Sequence, residues 1–173
     1  MGIAALAVAV LALLFTVGSF WWLYTRRGSL EVARPGTYAY AASTLRLRVP
    51  LAFYNTGARA LIVSDLRVAV VDDSACPPLL WLAVVSKLLP DGRNARDYST
   101  PFAVQGRATR EVVAEFEGFW CPLLGTKHRM RLEAKLHPDD SWLDIVDFDW
   151  WAPPPGASMG QYITYRNAPP EEQ

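Results

Sequence analysis

The chain is poor in the side chains that most site chemistry uses. Its 173 residues include only two histidines, His128 and His137, two cysteines, Cys76 and Cys121, and three lysines. Neither histidine has the Cys or His spacing of a zinc site. A serine or cysteine nucleophile needs a base within reach, and two such histidines make one improbable. Also missing are G-x-S-x-G, H-E-x-x-H and a glycine-rich phosphate loop; Gly118 and Gly125-Thr126-Lys127 have the wrong spacing for the last. These absences read as a protein that is not an enzyme and holds no cofactor. Net charge is missing as well. The 17 basic and 17 acidic residues cancel, so no overall field recruits nucleic acid. No repeat of fixed period is present, only a faint echo between the stretches that follow Cys76 and Cys121.

Residues 3–24 carry no charge at all. That run is long enough to cross a hydrocarbon core of about 30 Å at about 1.5 Å per residue. Trp21, Trp22 and Tyr24 gather at its end, where amphipathic rings prefer the headgroup level, and Arg26 and Arg27 follow at once. A secretory signal would want a basic start and a shorter apolar core, and a buried core helix would show a polar face. The reading is an uncleaved anchor over 1–27, with membrane lipid as partner of residues 3–24. Arg26, Arg27 and Arg34 lie on one side of the span, so the positive-inside rule predicts a single-pass inner-membrane protein with its domain in the cytoplasm. In that reducing compartment Cys76 and Cys121 would be free thiols; outside it they would pair as a disulfide.

The remaining sequence has the period of strands. Residues 28–44 read as a linker or a short first strand, with a turn at Pro35-Gly36. Leu45, Leu47, Val49, Leu51 and Phe53 share one face, with Arg46 and Arg48 opposite. Pro50 removes a ladder donor and predicts an edge or bulge there. Asn55-Thr56-Gly57 predicts a tight connection with Gly57 at positive φ, after which Ile62, Leu66, Val68 and Val70 resume the apolar face. Further strands are expected at 80–86, 102–104, 110–117, 128–136, 142–150 and 161–166, and disorder from Ala168. Alternation puts Glu111, Glu115 and Glu117 outward, His128 on a face that sees water, and Trp142, Val146, Phe148 and Trp150 on one face. Pro90-Asp91-Gly92 reads as a turn followed by a loop to Thr100, and Pro153-Pro154-Pro155-Gly156 as another turn. The fold class is therefore all-β: an immunoglobulin-like antiparallel sandwich of seven or eight strands over 45–167, with one N-terminal transmembrane helix.

A single span followed by alternating strands around the polar Asn55-Thr56-Gly57 turn resembles the membrane-anchored sandwich domains of the late-embryogenesis-abundant type 2 group, over residues 45–71. That resemblance implies a sandwich, a binding or scaffolding role and no catalytic residues, and in that group the sandwich commonly faces away from the cytosol. The span with Tyr54-Asn55-Thr56-Gly57 is also similar to bacterial single-span proteins, and 14 Arg against three Lys suits a GC-rich bacterial genome.

Two features remain as candidate sites. The acids Asp139, Asp140, Asp144, Asp147 and Asp149 are enough oxygen for calcium, but strand alternation should keep Asp144 from converging with Asp147, so a solvated face is the expectation. Trp142, Trp150, Trp151, Tyr162 and Tyr165 are the aromatic residues of a possible partner surface, set against their use as core. The function expected is a membrane-tethered protein-binding or scaffolding module at the cytoplasmic face, its protein partner unknown. The alternative is an envelope-facing binding module with a Cys76–Cys121 disulfide.

Overall fold

The structure is a computed structural model that describes residues 2–41, 45–73, 75–89, 96–118, 125–153 and 161–169. The expectations for Cys121, for the turns at 90–92 and 154–156, and for residues 170–173 lie outside the described residues.

The apolar segment is a helix, α1 (Gly2–Phe20), that runs into a π-helical turn over Trp21–Thr25. None of its side chains is buried. At 24 residues it is long and apolar enough to cross a membrane, as a span or as a signal sequence.

Among the described residues eleven strands follow, all paired antiparallel. They are β1 (Leu30–Val32), β2 (Thr37–Ala41), β3 (Arg46–Asn55), β4 (Leu61–Val70), β5 (Leu79–Val85) and β6 (Arg96–Tyr98), then β7 (Phe102–Val104), β8 (Thr109–Glu117), β9 (Lys127–His137), β10 (Trp142–Trp151) and β11 (Ile163–Arg166). The path β10-β9-β4-β5-β8-β3-β2-β11 makes one curled, half-barrel sheet, with β1 on β3, β6 on β5 and β7 on β4. The sequence predicts seven or eight strands. The additional ones are short: β2 was hidden in the expected linker and β6 in an expected loop. β1 is a short first strand of the kind expected within 28–44, and Tyr38 and Tyr40 of β2 are buried in the core.

β3 and β4 are not a hairpin. β3 pairs with β8, β2 and β1, whereas β4 pairs with β9, β5 and β7. The chain between them crosses from one arm of the curl to the other. Joining the arms, β4 meets β5 only at Arg67↔Leu80 and Val68↔Leu79, where the sheet turns over. Pro50 falls where its missing donor costs least. Ala52 accepts from Ala33 N–H, so that edge of β3 serves residues of even number, and Pro50 faces the gap between β2 and β1.

Alternation supplies the core. Leu47, Val49, Leu51 and Phe53 of β3 meet Val112, Ala114 and Phe116 of β8, and they face Leu66, Val68, Met130 and Leu132 of the other arm. Phe102 seats edge-on against Phe53 at 5.3 Å and against Trp81 at 5.9 Å. At the open side of the curl Tyr38 packs on Trp150 and on Tyr165, each at 5.5 Å. Asn167 closes that side. Its Oδ1 accepts from Trp151 N–H at 3.0 Å, and its Nδ2 donates to Asp149 O at 2.7 Å and Pro35 O at 3.1 Å. Ala168 beside it is buried, which corrects the expectation of disorder from that residue.

Two bulges shift the predicted faces. Between Val63 and Asp65 an extra residue turns Val63 inward and leaves Ile62 exposed. Between Asp144 and Val146 another reverses β10, so Trp142 lies opposite Lys135 on the outer face while Val146, Phe148 and Trp150 point in.

Candidate functional site

The residues expected at the membrane interface gather into a built joint. Arg26 ends the helical turn at ψ 119°, and its guanidinium lies 4.2 Å from the centre of the Trp22 ring. Its carbonyl accepts from Ala58 N–H at 2.9 Å. Thr56 N–H donates to Ser29 O at 3.1 Å, and Ser29 N–H returns to Thr56 Oγ1 at 2.9 Å. Asn55 is fully buried and organises the crossing: Oδ1 accepts from Gly57 N–H at 2.9 Å, and Nδ2 donates to Arg59 O and Val104 O. The turn after β7 completes the joint. Arg107 N–H donates to Gly57 O at 2.8 Å, and Arg107 Nη2 donates to Trp22 O at 2.6 Å, placing a cation on the negative end of the helix.

Gly57 does not have the positive φ expected of it; among the described residues Arg107 (54°) and Gly125 (71°) do. Its reason is proximity. A Cβ on Gly57 would collide with the backbone N and Cα of Gly28 and lie 2.8 Å from the Arg27 carbonyl carbon. Helix exit and sheet touch backbone to backbone there, which only glycine permits.

On the outer face, β3 and β8 set Arg48 against Glu115. Glu115 accepts from Arg48 Nε at 2.8 Å and from Arg96 Nη2 at 2.7 Å, and is wholly buried although its face was expected to meet water. β6 and Tyr162 cover it: the Tyr162 ring stacks 4.0 Å from the Arg48 guanidinium. Burial, then the nearby Glu115 charge, pushes the Tyr162 hydroxyl above the ordinary tyrosine range. Each carboxylate oxygen is thus engaged by a guanidinium group, Oε2 by Arg48 and Oε1 by Arg96. Beside it lies a cleft of about 520 Å³ lined chiefly by Pro50, Ala52, Val84, Glu111 and Val113. It offers an apolar seat with one carboxylate, and its lining contains neither His nor Cys.

The bulge in β10 also decides the acidic cluster. It brings Asp144 and Asp147 to one face, where both pair with Arg131 at 2.8 and 2.7 Å. Asp147 also meets Arg129, and Asp149 meets Lys127. The Arg131 guanidinium holds the Asp147 carboxyl below the usual carboxylate range. Alternation alone predicted that Asp144 and Asp147 would not converge; they do, but around a guanidinium. No group of three metal-ligating side chains is assembled among the described residues.

Of the five predicted partner-surface aromatics, Trp150, Trp151 and Tyr165 gather around Tyr38, while Trp142 and Tyr162 each cover an arginine elsewhere. Trp150 is core, and Tyr165 stacks on Tyr38 beside it. Trp151 lies near Lys127, and its carbonyl accepts from the Tyr38 hydroxyl. Trp142 lies between Arg67 and Lys135 at 4.2 and 4.9 Å, and Tyr162 covers Arg48. His128, expected on a face that sees water, lies 6.1 Å from Trp150 on the inner side, and burial lowers its pKa. Cys76 is disulfide-bonded, which departs from the free thiol expected of a cytoplasmic domain. Sequence reasoning missed Arg59 and Arg107 at the helix exit and Arg96 at Glu115; each comes from a loop or short strand with no periodic signal. No family model matches the chain, and no curated protein matches it.

Proposed function

We propose that the protein is a non-enzymatic, single-pass, membrane-tethered β module that binds a protein partner on the non-cytoplasmic side of a bacterial inner membrane. The observation that carries the reading is the joint at the helix exit. Arg107 bonds to the last helical turn, and Ala58 and Thr56 bond to the Arg26 and Ser29 carbonyls just beyond it, which supports a module held at a fixed angle to the helix. A mount of this kind supports presentation of a surface; a freely swinging domain would need only a linker. The paired arginines and carboxylates of the outer faces support a scaffold rather than a reaction centre. The Cys76 disulfide supports an oxidising compartment. The crossing between β3 and β4, with a narrow β4–β5 seam, supports an immunoglobulin-like sandwich derivative, in keeping with the late-embryogenesis-abundant type 2 resemblance.

The arginine bias after the span favours a second reading, the same module facing the cytoplasm. One experiment separates them. Spheroplasts of cells producing the full chain are treated with external protease, and lysates denatured with a quenching alkylator are run with and without reductant. Digestion from outside and a reductant-sensitive mobility shift are expected. Protection from protease, with both cysteines alkylated before reduction, would establish the cytoplasmic reading instead. Release of the full chain by alkaline carbonate would remove the tether from both.

A further inference from the structure

The joint gathers more positive charge at one level than the sequence places there. Arg26 and Arg27 follow the helix directly, whereas Arg59 and Arg107 arrive from two separate loops. Arg59 is next to Ala58, whose N–H is bonded to Arg26 O, and Arg107 reaches Trp22 O in the final turn. Arg27, Arg59 and Arg107 are exposed, and among the described residues neither Arg27 nor Arg59 makes an ion pair. Trp21, Trp22 and Tyr24 in the same turn are exposed as well. If the 24-residue helix spans, at a rise of about 1.5 Å it is about 36 Å long against a core of about 30 Å, so this turn stands among the headgroups.

We propose that Arg26, Arg27, Arg59 and Arg107 form a collar that selects anionic phospholipid around the span, their guanidinium groups engaging headgroup phosphate. The inference rests on the membrane-tethered reading. Guanidinium suits phosphate because its planar donor fork meets two oxygens at once. The collar differs from an ordinary basic flank in being preorganised. Arg26 is held by Trp22 and Arg107 by the Trp22 carbonyl, so little side-chain freedom remains to be lost on binding. The aromatic belt alone would hold the span at the interface without regard to headgroup charge.

The test uses the full chain in nanodiscs of phosphatidylcholine mixed in equal parts with phosphatidylglycerol, with the lipids retained after ejection counted by native mass spectrometry. Wild type is expected to retain phosphatidylglycerol several-fold over phosphatidylcholine. Arg59→Gln should lower that ratio by up to about fivefold, since one surface arginine contributes on that order. Arg59→Lys should lower it less, and Arg59→Gln/Arg107→Gln should abolish the preference. The Arg59 side chain is exposed and enters none of the hydrogen bonds or ion pairs found among the described residues; Asn55 bonds only its backbone carbonyl. Equal retention of the two lipids by wild type, or a ratio unchanged in the double variant, overturns the collar. Failure of the full chain to enter nanodiscs of either lipid overturns the tether beneath it.

Discussion

Replacing Gly57 by alanine tests the joint and the reason for the glycine together. The added methyl would overlap Gly28 N and Cα and stand 2.8 Å from the Arg27 carbonyl carbon, all backbone atoms that no rotamer change can move. Relief requires the helix exit to draw away from the crossing. That movement breaks Ala58 N–H to Arg26 O (2.9 Å), Thr56 N–H to Ser29 O (3.1 Å) and Arg107 to Trp22 O (2.6 Å). At about 1 kcal/mol net for each bond, the cost is about 2–3 kcal/mol. For a domain of this size that lowers Tm by roughly 6–10 °C. The assay is thermal unfolding of the full chain in one detergent, followed by near-UV circular dichroism. Gly36→Ala serves as control, since a Cβ there meets nothing within 4 Å. Asparagine at position 57 discriminates between causes. It tolerates positive φ, so it would be mild if φ were the reason for glycine, but it should be at least as damaging as alanine if proximity is. A Gly57→Ala variant within about 0.5 kcal/mol of wild type, or a harmless Gly57→Asn, would refute the argument.

Three further outcomes are expected. Glu115→Ala leaves Arg48 buried without its carboxylate and should cost about 3 kcal/mol or more, whereas Glu117→Ala, from the half-exposed Arg46 pair, should cost under about 1 kcal/mol; urea titration of both variants measures the contrast. Asn167→Ala should cost about 2–3 kcal/mol through its three bonds at the closing seam and speed hydrogen exchange at the Trp151 amide, and unchanged exchange there would show that the seam closes by other means. Tyr38, Tyr40 and Tyr165 all have pKa values raised, burial being the first cause of each, so the stability they add is full below about pH 10 and is lost as pH rises through their folded values. Thermal melts across alkaline pH, with tyrosinate absorbance followed in parallel, should show that loss, and Tyr38→Phe should reduce it.

What the sequence determined by itself is what depends on neighbours along the chain. The uncharged run with its aromatic end makes an apolar helix whatever follows. Alternation in 46–53, 112–116 and 128–136 makes half-buried strands, because side chains on a strand point to opposite faces every second residue. Pro50 predicted an edge or a bulge; β3 is instead central and in unbroken register with β8 there, and the proline falls between the residues that pair with β2 and those that pair with β1. What only the tertiary structure decided depends on residues distant in sequence. The two bulges at 64 and 145 add one residue each, and one residue is enough to send Trp142 outward and bring Asp144 to Asp147. No local pattern marks them, since their cause is the register with β9. Asn55 and Gly57 were legible as special, but the role of glycine was not, because Gly28 had to arrive from the helix exit before the missing Cβ acquired a purpose. Glu115 likewise reads as a solvent-facing acid until Arg96 and Tyr162 fold over it. The arginines at the helix end were half visible: Arg26 and Arg27 follow the helix in sequence, while Arg59 and Arg107 reach it only because the curl of the sheet returns two loops to the helix exit.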